Sequence, residues 1–204
     1  MNARWIIAIL YGVGFLGLIL YPTLFIPLSA FSLCLTFMFL LLEDWSWKKL
    51  IFFCTIILAG FYMEWRGVHT GSPFGFYQYG EGLGWKLWDI PVVIGVNWVI
   101  MTWSSLSLIR WAWGVNNRWI LALGGGMLMT LTDVIIEQVA PQLEYWMFEM
   151  NHVPWNNYAA WMWLGVLFSW LLSYIPNKRP SLGAWVWVLN WMFFVGLMVV
   201  NLKS

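Results

Sequence analysis

Apolar residues follow one another along this chain in long runs, and polar residues gather in the breaks between them. At about 20 apolar residues for each membrane crossing, the runs predict helices at 4–20, 23–42, 48–64, 90–109, 118–140, 158–175 and 182–202. The breaks carry their own signals: Tyr21-Pro22, Glu43-Asp44 with Lys48-Lys49, Gly114 to Asn117, Pro141 to Asn157, and PNKRP at 176–180. The expected fold is all-α, a polytopic membrane helical bundle of about seven transmembrane helices, forming one integral membrane domain over residues 1–204. One break stands apart. The stretch EWRGVHTGSPFGFYQYGEGLGWKLWDIP, from Glu64 to Pro91, puts five ionised side chains, a histidine, six glycines and two prolines between two apolar spans.

Composition agrees with the pattern. Hydrophobic residues make up 62% of the 204 and charged residues 9%, against about 25% charged in soluble domains. A net charge of +1 leaves no basic surface, so nucleic acid is excluded as a partner and the lipid bilayer is the implied one. Cys34 and Cys54 fall inside apolar runs with no pairing pattern or metal spacing around them. The opening MNARWIIAILYGVGFLGLIL has the positive start of a signal peptide without a convincing cleavage site, and it reads as a retained first span. Lys and Arg set the orientation. Across seven spans Arg4, Lys48, Lys49, Arg110, Arg118, Lys178 and Arg179 fall on one side, and Arg66, Lys86 and Lys203 on the other. The first side, with the N-terminus, is expected in the cytoplasm of a cell whose cytoplasmic membrane holds this multi-pass protein. Glu64, Asp89, Asp133, Glu137 and Asn156 then lie toward the outer face.

Asp133 and Glu137 are four apart in the fifth predicted span and share a helix face, one turn from each other. An ionised carboxylate deep in a bilayer costs about 2.5–3.5 kcal/mol on insertion scales, so such a residue faces a cavity or a partner. Two carboxyls held this close leave one able to give a proton and its neighbour able to take one. If the span ends before Glu137 both are merely solvated, a reading that suits Glu137 better than Asp133. Glu64 closes the third predicted span, and an ordinary juxtamembrane carboxylate paired with Arg66 is its plain alternative. Asp89, ahead of Pro91, is a candidate acid or a helix N-cap, and the local pattern favours the cap. Nineteen tryptophans exceed what interfacial belts need, and most read as anchors at headgroup level. Trp65, Trp85, Trp88, Trp155 and Trp161 crowd the acids instead, where they could line a groove for a long apolar ligand or face a passing carbocation. His69 and His152 lack close ligand spacing, so no metal is expected. Two histidines are too few for a membrane di-iron oxygenase. Gly124 to Gly126 lie inside a span and read as close helix packing, and no span has a central lysine for a retinal Schiff base. No cofactor is expected.

The residues from Glu64 to Trp161 also carry a resemblance. E-x-x-G-V-x-T-G-S-P-F-G-F-Y-x-Y over Glu64 to Tyr79, then Leu83-Gly84 and Asp89-Ile90-Pro91, resembles the signature of the carotenoid biosynthesis protein family, which includes integral membrane carotenoid 1,2-hydratases. DVIIE at 133–137 and VPWNNYAAW at 153–161 are similar to two further blocks of it, with Gln138 where proline is usual and Ala160 where glycine is usual. The resemblance implies addition of water to the terminal C1,C2 double bond of an acyclic or monocyclic carotenoid, through proton transfer, a brief tertiary cation and capture by water, with no cofactor. It implies Glu64, Asp133 and Glu137 as catalytic acids and bases, with Asp89 in the catalytic set as an orienting group beside Asn156 and Asn157. As substrate-binding residues it implies Trp65, His69, Phe74, Tyr77, Tyr79, Trp88, Trp155, Asn156, Asn157, Tyr158 and Trp161. The carotenoid is then the substrate, and other enzymes of its pathway are candidate partners. A different class stays open, a non-catalytic carotenoid- or lipid-binding membrane protein with the same groove. A transporter is a third, and confinement of the acids to one face rather than the midplane counts against it.

Overall fold

The computed structural model describes residues 3–149, 152–176 and 181–201. Helix α1 (Ala3–Leu20) is followed by a rod built from a short α2 (Pro22–Phe25), a 3₁₀ turn and α3 (Ser29–Leu42). Then come α4 (Trp47–Thr70), α5 (Val93–Trp113), α6 (Arg118–Ile136), α7 (Trp155–Leu172) and α8 (Leu182–Asn201). Among the described residues these make seven rods, and six of them are long and apolar enough to cross a membrane. The other is α7, whose first turn of Trp155, Asn156, Asn157 and Tyr158 lowers its apolarity although it has 18 residues. Two short antiparallel ladders complete the chain: β1 (Tyr77–Tyr79) pairs with β4 (Trp146–Phe148), and β2 (Lys86–Leu87) pairs with β3 (Ile90–Pro91). The fold is the nearly all-helical membrane bundle that the apolar runs imply.

α5 runs through the middle, with α3, α4, α6, α7 and α8 packed around it. Every residue from Trp98 to Arg110 is buried. That explains how Thr102, Ser104, Ser105 and Ser107 sit in one span: a helix covered on all sides meets no lipid, and small side chains let its neighbours close in. Gly183 of α8 makes such an approach, since a Cβ there would lie 2.5 Å from the Ser107 hydroxyl oxygen. The α6–α7 crossing is tighter still. A Cβ on Gly126 would come within 2.8 Å of the Met162 carbonyl oxygen, and one on Gly165 within 2.9 Å of the Gly126 Cα. The glycine run at 124–126 is therefore helix packing, as read from the sequence.

Several helix ends differ from the expectation for physical reasons. α4 continues to Thr70 rather than stopping at 64, and turns off at Gly71 in the left-handed region with φ 70°. Its 24 residues span about 36 Å at 1.5 Å each, more than the roughly 30 Å of hydrocarbon to be crossed, so the polar turns at Trp65 to Thr70 prolong the helix beyond the apolar layer. α5 starts at Val93 because Ile90 and Pro91 are held extended against Lys86 and Leu87, and Val92, not Asp89, precedes its first turn. α6 ends at Ile136, short of 140, and tight turns carry the chain on to Glu144. α7 begins directly after Pro154 and ends at Leu172. Residue 202 of the last expected span, with Lys178, Arg179 and Lys203, lies outside the described residues.

The two ends of the bundle differ in chemistry. At one, basic side chains stitch the connections: Lys49 donates to the carbonyls of Leu40 at 2.5 Å and Glu43, and Arg110 to those of Ser173 and Ile175 at 2.9 Å each. At the other lie the end of α4, both ladders, the end of α6 and the start of α7.

Candidate active site

Gly60, Glu64 and Gly67 recur at i, i+4 and i+7 on one face of α4. A Cβ at Gly60 would lie 2.6 Å from the Trp98 ring, and one at Gly67 would lie 2.7 Å from the Phe74 ring and 2.7 Å from the Tyr77 hydroxyl. The missing side chains let an indole and a phenol reach the carboxyl between them. Glu64 Oε1 accepts from Trp98 Nε1 at 2.8 Å, and Oε2 accepts from the Tyr79 hydroxyl at 2.7 Å and from the Tyr77 hydroxyl. Tyr77 and Tyr79 point the same way because they are two apart on β1, and β4 fixes their register with Tyr77 opposite Phe148 and Tyr79 opposite Trp146. Beyond β1, Gly80 N–H donates to the Tyr145 carbonyl at 3.0 Å and Gly82 N–H to the Glu144 carbonyl at 2.9 Å. A Cβ on Gly80 would strike the Glu144 carbonyl, and one on Gly82 the Leu143 carbonyl. The glycine-rich stretch thus locks against the 143–148 segment and closes a polar site at this end of the bundle.

The opposite wall is the end of α6. Asn157, on the first turn of α7, donates through Nδ2 to Asp133 Oδ2 at 2.7 Å and to Glu137 Oε1 at 3.3 Å, bridging the i, i+4 acids. Trp146 Nε1 donates to Glu137 Oε2 at 3.0 Å. Asp133 Oδ1 is buried without a hydrogen-bond partner among the described residues. Each of the hydrogen bonds to the three carboxyls described here comes from a neutral indole, phenol or amide. Burying three negative charges with only neutral donors is costly. At Glu137, which lies just past α6, burial pushes the carboxyl from 4.5 up to about 7, against the lowering effect of its bonds from Trp146 and Asn157. Burial also raises the Tyr77 and Tyr79 phenols well above 10, with the nearby Glu64 adding to it, which keeps both as neutral donors.

These side chains enclose a cavity of about 20 Å³ of space open to water centres, lined by Glu64, Phe74, Tyr77, Tyr79, Ile94, Glu137, Trp146, Phe148, Asn157 and Trp161. None of them is more than 9% exposed. By that measure a water needs about 10–15 Å³ and two to four polar partners, and both conditions are met here. The Trp161 ring closes one side, stacked on Trp98 with centroids 4.3 Å apart and planes at 19°. Between α1, α3 and α8 lies a larger groove of about 250 Å³, mostly apolar, walled by Phe25, Phe31, Phe193 and Phe194 and reaching Tyr145.

Of the residues singled out from the sequence, Glu64, Phe74, Tyr77, Tyr79, Glu137, Asn157 and Trp161 meet at the cavity, and Asp133 stands behind it on the Asn157 bridge. The others do not. Asp89 is exposed and lies 3.7 Å from His69, itself on the surface at the end of α4. Trp65 stacks between Tyr62 and His69 on the same helix. Trp88 and Trp155 are 66% and 76% exposed, Asn156 is exposed beside the buried Asn157, and Tyr158 is half-buried outside the cavity lining. Trp98, Trp146, Ile94 and Phe148 line or brace the site without having been singled out. Among the described residues no group of acids, histidines and cysteines could hold a metal ion.

The sequence model of a family described as carotenoid biosynthesis protein matches residues 21–203. A bisanhydrobacterioruberin hydratase of Haloarcula japonica is 28% identical over 116 residues, 54% of this chain and 40% of that protein. The chain thus spans well under half the length of this curated relative. No solved structure is a significant match.

Proposed function

The chain belongs to the carotenoid biosynthesis protein family, and we propose that it is a cofactor-independent hydratase that adds water to the terminal C1,C2 double bond of an acyclic or monocyclic carotenoid. The observation that carries this is the buried cavity with two carboxyls, two phenols, an amide and room for a water, backed by a third carboxyl. In this reading Glu137, which lines the cavity and holds its proton up to about pH 7, protonates C2 of the alkene. The π pair forms the new C–H bond and leaves a tertiary cation at C1. Water, oriented by Glu64 with Tyr77 and Tyr79, attacks C1 through oxygen and gives its surplus proton to the Glu64 carboxylate. Return of that proton to Glu137 closes the cycle, so the net change is one water added. The stacked Trp98–Trp161 pair offers an indole face to the cation. Asp133, tied to Glu137 through Asn157, holds that amide and with it the Glu137 carboxyl in place, and the nearby Glu64 helps burial keep the proton on Glu137. A terminal isopropylidene is larger than the cavity as it stands, so its arrival must part the wall of Ile94, Phe74 and Trp161.

A second reading is favoured by the groove between α1, α3 and α8, which suits a long hydrocarbon whether or not chemistry follows. In it the chain binds a carotenoid or lipid without altering it. Pigments from a carotenoid-producing host separate the two. The hydratase yields carotenoids heavier by one water with an unchanged visible spectrum, because the conjugated system is untouched. Pigment that copurifies at unaltered mass supports the binder, and a shifted main absorption band would overturn hydration.

A further inference from the structure

Cavities at the acid end of the bundle line up between the surface and the site. Two outer cavities share wall residues with the buried one. The first, of about 230 Å³, is lined by Glu137, Pro141, Trp146, Met147, Phe148, His152 and Val153. The second, of about 300 Å³, is lined by Gln78, Tyr79, Gly80, Glu81, Pro141, Glu144, Trp146 and Met147. Their rims include the exposed residues Pro141, Met147, His152, Gln78, Glu81 and Glu144, so both open at the surface. Trp146 is the side chain common to both and to the inner cavity. Glu137 lines both the inner cavity and the first outer one, so it stands between the site and the surface opening.

We propose that Trp146 is the plug of an aqueous port, and that Glu137 is the carboxyl that exchanges protons across it. The indole is 8% exposed, packs edge-on against Tyr79 at 6.2 Å and holds Glu137 by its N–H at 3.0 Å. It therefore seals the inner cavity from bulk water while pinning the carboxyl that faces both compartments. The plug rests on the hydratase reading for its purpose, since such an enzyme consumes one water and recycles one proton per turnover. Exclusion of bulk water would also protect a tertiary cation from capture at the wrong carbon. The geometry itself needs no carotenoid. A port at this end leaves the lipid-facing sides free for the hydrocarbon, so the two substrates approach from different phases. Trp146 is here a positioning residue: it acts through Glu137 and through closure.

Carboxyl hydrogen–deuterium exchange tests this without substrate. The purified protein in lipid nanodiscs, at pH 5.5 where Glu137 is protonated, is switched from H₂O to D₂O, and the infrared C=O band removed by Glu137→Gln is followed. Wild type should exchange at a resolvable rate, Trp146→Ala faster by an order of magnitude or more, and Val153→Trp, which fills the first outer cavity, the one Glu137 lines, severalfold more slowly. Exchange complete on mixing in the wild type would overturn the plug, as would a Trp146→Ala rate no faster than wild type. If Trp146→Ala does not fold, Val153→Trp decides alone, because an unchanged rate there overturns the port. Pigment mass tests the hydratase reading separately, so either result can fail while the other stands.

Discussion

Glu137 is the side chain whose titration reports on both folding and chemistry. Its carboxyl is raised from 4.5 to about 7, so the folded protein binds this proton more tightly than the unfolded chain does. The stability it contributes is fully present below pH 4.5 and is lost as pH rises through about 7. Thermal midpoints measured between pH 5 and 8 should decline in the wild type, with a smaller decline in Glu137→Gln. A flat profile in both would mean that Glu137 titrates normally. In a hydration assay Glu137→Gln should cost the factor of about 10²–10⁴ that general acid catalysis supplies, and the wild-type rate should fall as pH rises through about 7. Near-normal turnover in the variant would move the proton donor to Asp133 or Glu64. The three acids are legible in the sequence because carboxyls in or beside apolar runs are costly unless they face a cavity. Trp98 and Trp146 are not legible. Among nineteen tryptophans nothing local marks the two whose N–H groups reach a carboxyl, since that depends on which helix and which strand face one another. Asn156 and Asn157 look alike as neighbours, and only the rotation of α7 buries one and exposes the other.

At the scale of elements, glycines set how closely the walls of the site approach. Gly126 brings α6 against α7, and besides the Val166 Cγ2 at 2.6 Å its Cβ would meet the Met162 carbonyl and the Val166 nitrogen at 2.8 Å each, which are backbone that cannot step aside. Gly126→Val should therefore destabilise by the about 1–3 kcal/mol typical of overpacking or more, read as a lower thermal midpoint and loss of monodispersity. Gly12→Ala, on α1 with nothing within 4 Å of the added carbon, should leave the midpoint unchanged or higher. Equal loss in both variants would mean that the α6–α7 crossing is looser than described. The packing role of the 124–126 run is visible in the sequence, because three glycines inside an apolar span have few other uses. The end of α4 is less visible. Glu64 and Arg66 look like the polar edge of a membrane span, yet a helix longer than the bilayer keeps its backbone bonds through those residues and stops only where Gly71 turns left-handed. Strands as short as β1 and β4 leave no periodicity to read, and their pairing joins segments about seventy residues apart.

For the whole molecule, the separation of acidic and basic ends carries a prediction of orientation. Among the described residues Arg4, Lys48, Lys49, Arg110 and Arg118 belong to the end opposite the acid cavity, while Arg66 and Lys86 belong to the cavity end. Basic residues favour the cytoplasmic side, so the cavity and its port are expected to face outward. Cys34 and Cys54 are free and lie within α3 and α4, and replacing both by alanine gives a clean background for thiol labelling. In intact cells an impermeant reagent should then label Ser72→Cys, and should label Asn116→Cys only after lysis. One rod, α5, lies between those positions, so labelling of both from outside would mean that it does not cross the membrane. Met147→Cys should label together with Ser72→Cys, because the β1–β4 ladder ties the two loops to one end of the bundle although α5 and α6 separate them in sequence. The reverse pattern, with Asn116→Cys alone labelled from outside, would turn the protein over and make the cytoplasm the source of its water.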